Sequence, residues 1–186
     1  MAVQRNQIVD YQTYADIRDA VRERIFAVKQ LRRVHVGEHL SFLFENDETT
    51  RYQIQEMMRA EQIVKESAIQ HEIDTYNELL GGPGELGCSL LIEIEDAAQR
   101  APLLTKWLDL PSHLYVRLEE GSKVYATFDP RQVGDDRLSA VQYIKFDTSG
   151  RVPVCVGTDH PELEAEADLT PEQREALASD LAGVRA

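Results

Sequence analysis

The side chains best suited to chemistry lie between Phe44 and Leu80. Glu45 and Asn46 close an apolar run, and Thr50 follows, residue types that gather at a helix start where unpaired backbone amides attract polar groups. Glu56, Arg59 and Glu61 come on the next turns. Glu45, Asn46, Glu56, Arg59 and Glu61 therefore form a candidate polar site at a strand-to-helix turn. A carboxylate desolvated there would have a raised pKa and serve as an acid, a base or a ligand. On a continuous helix Glu61 and Glu72 share the apolar face of Ile54, Met58, Ala68, Tyr76 and Leu79, so their burial needs partners. They are ~16 Å apart along such a helix and cannot act as one pair on a small substrate. A structural reading uses the same residues: an N-cap turn for Glu45, Asn46 and Thr50, and ion pairs that dock two helices, with Lys65 or an arginine of the first helix facing Glu61.

Other chemistries lack their residues. No Glu is followed three residues later by His, which removes the ferritin-like di-iron pattern. The Gly81 to Gly87 segment follows a helix, contains Pro83 and lacks the Gly-Lys-Ser/Thr ending of a phosphate loop, so it reads as a turn. No Gly-x-Ser-x-Gly elbow occurs. Cys88 and Cys155 form no Cys-x-x-Cys pair and read as reduced, buried thiols. His35 and His39 have helical ligand spacing, but Gly37 between them spoils a shared face. No catalytic residue, cofactor or metal is assigned within the chain; a third reading has a metal shared between two chains through His or Cys. A net charge of -13 opposes nucleic-acid binding. No run reaches the ~20 apolar residues of a membrane span, and Met1 to Asp10 lacks a signal-peptide core, so a cytoplasmic location is expected.

The elements that position these residues follow from periodicity. Thr13 and Asp16 resemble a capping box, opening a helix that Gly37 ends, with Ile17, Val21, Val28 and Leu31 toward the core. Arg18, Arg22, Lys29 and Arg33 fall within ~60° of one another and form a candidate docking face. His39 to Glu45 alternates as a strand. Thr50 with Gln53 caps a helix to Leu80, with a possible break near Ser67. A strand over Ser89 to Glu95 precedes a helix from Asp96 to Trp107. Tyr115 to Leu118 with Val124 to Phe128, and Ala140 to Phe146 with Val152 to Val156, read as hairpins, and Pro153 suits an edge strand. Thr170, Pro171 and Gln173 start a terminal helix reaching about Leu181. The order predicts a single α+β domain over 1–158, helices on one face of a mainly antiparallel sheet, followed by an acidic linker and helix over 159–186.

Arg32-Arg33-Val34, Gly37, Phe44-Glu45-Asn46, Thr50, Gln53-Ile54-Gln55-Glu56-Met57, Arg59, Glu61, Glu72, Tyr76-Asn77 and Leu90 to Glu93 resemble an uncharacterised bacterial domain-of-unknown-function family, and Arg137 to Phe146 looks like its C-terminal motif. The resemblance covers about residues 15 to 150 and leaves the tail outside. It implies no activity, but genes of this family often neighbour rubrerythrin and iron-sulfur oxidoreductase genes. Two functions therefore stand open. One is an accessory or binding protein of a redox or oxidative-stress system, docking a redox protein through the basic helix; the other is a small enzyme or small-molecule binder using the polar site. A homo-oligomer is compatible with either.

Overall fold

The computed structural model describes residues 2–134 and 136–183. Helix α1 (Tyr11–Gln30) opens at Asp10, whose carboxylate accepts the amides of Gln12 and Thr13 at 3.0 Å, so Asp10 and not Thr13 is the cap. It stops at Gln30, seven residues before the expected end at Gly37. The cause lies in Arg33–Val36, whose alternating valines form strand β1 against β2 (Leu40–Phe44), while Gly37 at φ +61° makes the turn between them.

Asn46 caps α2 (Asp47–Glu61): its side-chain oxygen accepts the Thr49 amide at 2.9 Å, and the Thr49 hydroxyl accepts the Asn46 amide at 3.0 Å. This reciprocal pair replaces the expected Thr50–Gln53 box. Gln62 takes a left-handed conformation at φ 51° and ends α2, and the chain restarts as α3 (Glu66–Asn77). Ile54, Met58, Ile69 and Ile73 of the two helices pack with Val3 and Ile8 in a small apolar cluster. Glu61 and Glu72 thus sit on separate helices.

The larger sheet runs β1-β2-β3-β7-β6, with β3 at Glu85–Ile92, β6 at Thr127–Phe128 and β7 at Val141–Asp147. The smaller runs β5-β4-β8-β9, with β4 at Leu114–Arg117, β5 at Lys123–Tyr125, β8 at Cys155–Thr158 and β9 at Ala165–Asp168. Every pairing in the two sheets is antiparallel. Phe42, Phe44, Leu86, Cys88, Leu90, Ile144 and Phe146 turn to one face and meet Leu114, Val116 and Val156 of the smaller sheet in the main core. Full burial of each such side chain stabilises the fold by roughly 1.5–3 kcal/mol. Helix α4 (Ala97–Lys106) adds Leu104 to that core. The chain is a single-domain α+β fold.

The expected hairpin from Tyr115 forms as β4 with β5, though only as far as Tyr125, while the hairpin expected between Ala140 and Val156 does not form. β7 pairs with β3 and β6, and β8 with β4 and β9, because Ile144 and Phe146 match the apolar face of Cys88 and Leu86. The stretch after Lys123 divides at Ala126, sending β5 to one sheet and β6 to the other. Pro153 precedes β8 and is buried. The expected acidic linker is in part strand β9, with Ala165 and Ala167 against the core and Glu166 and Asp168 outward. The capping box at Thr170 and Gln173 forms with bonds of 2.9 and 3.2 Å and opens α5 (Pro171–Gly183), whose Leu177 and Leu181 complete the core.

Candidate functional site

Glu45 leaves β2 with its amide bonded to the Gly87 carbonyl at 2.9 Å, which keeps it in the plane of the sheet. The residue before it, Phe44, faces the core, so Glu45 points to the opposite, helix-bearing face. There the Ser89 hydroxyl donates to Oε1 at 2.6 Å and the Thr49 hydroxyl donates to Oε2. Glu45 is half-buried, and among the described residues no cation stands within ion-pair distance of it. Asn46 is buried and donates from Nδ2 to Asp180 at 3.3 Å, joining the start of α2 to the last turn of α5. Asp180 also takes two bonds from Arg32, at 2.8 and 2.9 Å, and Arg32 is only 8% exposed.

Glu45, Asn46 and Asp180 border a cavity of about 390 Å³ that Asp47, Glu85 and Lys145 also line. Its floor depends on glycine. A Cβ on Gly87 would lie 1.9 Å from the Leu79 carbonyl oxygen, and one on Gly81 would lie 2.3 Å from the Glu85 carbonyl oxygen. The chain leaving α3 therefore crosses β3 at a separation that side chains forbid. Glu85 accepts the Gly82 amide at 2.9 Å, fixing another carboxylate on the rim.

The remaining candidates lie elsewhere. Glu56 faces α1, where Arg18 donates two bonds at 2.8 and 2.9 Å, the Tyr14 hydroxyl donates at 2.7 Å, and Arg59 stands at 3.6 Å. The Arg18 bond outweighs burial and lowers the Glu56 carboxyl to about 2, so it is ionised and engaged at neutral pH. Burial first, and the Glu56 carboxylate second, push the Tyr14 hydroxyl upward. Arg59 keeps its Nε–H buried without a partner. Glu61, expected on the core face, is exposed, because the helix ends there and Gln62 turns the chain away. Lys65 caps α3 by position and makes no ion pair with it.

The basic stripe is divided as well. Arg18 is held by Glu56, Lys29 sits half-buried with its ammonium 4.8 Å from the Tyr52 ring centre, and Arg33 belongs to β1 with its Nε–H buried and unbonded. Burial lowers the Lys29 pKa, against the opposing pull of Glu45. Arg22 is exposed beside Phe26, which is 66% exposed. The expected core stripe of α1 is rotated: Tyr14 and Ile25 are buried, while Ile17 and Leu31 are 47% and 42% exposed.

The sequence pointed to Glu45 and Asn46 but missed Ser89, Thr49, Glu85, Lys145 and Asp180. Thr49 carried a signal, since it stands three residues after the true cap. Ser89 reaches Glu45, and Glu85, Lys145 and Asp180 reach the cavity, only through strand pairing and the docking of α5. Cys88 and Cys155 are buried free thiols in different sheets, and no group of three or more His, Cys, Asp or Glu is arranged to hold a metal among the described residues. Among the same residues no helix is long and apolar enough to cross a membrane.

The model of the family described as protein of unknown function (DUF3501) matches residues 2–181, and the chain belongs to that family. The match includes β9 and nearly all of α5, which the sequence motifs left outside. A solved structure, described as a novel protein of unknown function from Burkholderia pseudomallei K96243, is 32% identical, covers 97% of this chain and 100% of its own, and superposes with a TM-score of 0.89. No curated protein matches.

Proposed function

We propose that this protein binds a small molecule carrying a cationic nitrogen in the cavity at the β2–α2 turn. The observation that carries the proposal is Glu45: a half-buried carboxylate, oriented by Ser89 and Thr49, on a cavity wall and without a protein cation in contact. Hydroxyl donors hold the carboxylate in place, and Lys29 acts on it electrostatically from beyond ion-pair distance, so among the described residues no cation contacts it, which favours an ammonium or amidinium ligand. Asp47 and Glu85 on the same wall add negative potential, and so does the C-terminal end of α5 at Gly183. A space of about 390 Å³ falls within the range of small-ligand sites. Of the polar residues named from sequence, Glu45 and Asn46 line this cavity, whereas Glu56 and Arg59 lie at the α1–α2 contact outside its lining.

Calorimetric titration with putrescine tests the proposal. The wild type is expected to bind saturably, and Glu45→Gln to bind roughly tenfold more weakly, as loss of one charge-assisted bond implies. Equal binding by both proteins, or no binding to the wild type, rejects it.

A second reading is docking of an acidic redox protein on α1, favoured by the exposed Phe26 beside Arg22 and Lys29. Purification of tagged protein from its native host, with Arg22→Glu as control, checks it: a salt-sensitive partner lost in the variant supports docking, and no partner rejects it.

A further inference from the structure

Lys145 is the charged residue of the cavity that the ammonium reading does not use. It lies on β7 in register with Gly87 of β3, and Gly87 accepts the Glu45 amide on its other side. Glu45, Gly87 and Lys145 therefore form one row across three adjacent strands. Their side chains share a face, since Phe44 and Phe146 turn to the core. Strand spacing puts Glu45 and Lys145 roughly 10 Å apart along this row. Between them Gly87 contributes no side chain.

Lys145 also borders a second cavity of about 540 Å³ between the last turn of α3 and strands β6 and β7, where Leu79, Phe128 and Tyr143 supply apolar wall. Other half-buried or paired lysines have partners: Lys106 holds Glu162 at 2.7 Å, Lys123 holds Asp159 at 3.3 Å, and Lys29 lies over Tyr52. Lys145 is half-buried, yet among the described residues it makes no ion pair, although Glu45, Asp47, Glu85 and Asp180 line the same space.

We propose that Lys145 binds an acidic group of the ligand, so that the cavity takes a zwitterion with its ammonium at Glu45 and its carboxylate at Lys145. The inference rests on the ammonium reading of the cavity. An isolated anion would meet Glu45, Asp47 and Glu85 for one lysine, Asp180 being held by Arg32, and an isolated cation would leave the half-buried lysine without an ion-pair partner. A ligand with both charges satisfies both ends. A backbone separation of roughly 10 Å, with no side chain at Gly87 between, leaves room for an amine and a carboxylate joined by a short carbon chain.

The test uses the full chain with three probes, γ-aminobutyrate, putrescine and succinate, titrated into wild type, Lys145→Met and Lys145→Gln. Two replacements are used so that one folding failure leaves the comparison intact, with circular dichroism as the folding check. The expected result is a loss of γ-aminobutyrate affinity of roughly tenfold in the variants, with putrescine binding unchanged or stronger and succinate not binding. If putrescine binds the wild type but γ-aminobutyrate affinity is the same in all three proteins, the role of Lys145 is overturned while the ammonium site stands. If putrescine does not bind the wild type, the ammonium reading and the Lys145 inference that rests on it fall together.

Discussion

Arg32 and Asp180 form a two-bonded ion pair across 148 residues of sequence, with distances of 2.8 and 2.9 Å and both side chains largely buried. Asn46 bonds to the same aspartate, so the start of α2, the end of α1 and the last turn of α5 meet at one carboxylate. Removing it would strand a buried guanidinium. Asp180→Ala is expected to cost about 3–5 kcal/mol. Urea denaturation checks this, and a loss below about 1 kcal/mol would mean that Leu177, Leu181 and the Gln173 bond to the Arg33 carbonyl suffice to hold α5.

Glu56 gives the fold a pH dependence whose sign is fixed by its partners. Arg18 lowers its folded pKa to about 2 from an ordinary value of 4.5. A depressed folded pKa contributes stability that is present above the unfolded value and lost as pH falls from about 4.5 toward 2. The contribution is on the order of 2 kcal/mol after solvent screening. Denaturation of wild type and Glu56→Gln between pH 6 and 2 should show a stability gap that closes across that window. A gap independent of pH would contradict the assignment.

Gly87→Ala and Gly121→Ala separate steric from conformational need. The added Cβ at Gly87 would strike the Leu79 carbonyl at 1.9 Å, whereas at Gly121 nothing lies within 4 Å and only its φ of +91° opposes a side chain. Gly121→Ala should cost about 1 kcal/mol, and Gly87→Ala about 3 kcal/mol or more, with distortion of the cavity floor. Thermal unfolding of the two variants gives the comparison.

Phe26→Ser should change stability by less than about 0.5 kcal/mol, because the ring is already mostly in solvent. Phe44→Ala, at a fully buried position, should cost about 3–5 kcal/mol. Similar losses in both would show that Phe26 is covered in solution, and sedimentation of the variant would then report what covers it.

The α+β class and the β2–α2 turn were legible in the sequence because local signals mark them: the alternation of Leu40 to Phe44, and the short polar residues after it. The site was only half legible. Glu45 and Asn46 sit at that local signal, but Glu85, Lys145 and Asp180 join them through β3–β7 pairing and the docking of α5, which periodicity does not encode. Glu61 misled because apolar periodicity carries across Gln62, where a single left-handed residue ends the helix. The tail misled because acidic alternation over Ala165 to Asp168 resembles a solvated linker, while its alanines supply the inward face of an edge strand.

The ammonium site is tested most directly by following backbone amide resonances during titration with putrescine. Saturable shifts concentrated at Glu45, Asn46 and Gly87, with a midpoint moved roughly tenfold higher in Glu45→Gln, are expected. Shifts spread over the acidic surface without saturation, or the same midpoint in the variant, would contradict a ligand site at Glu45.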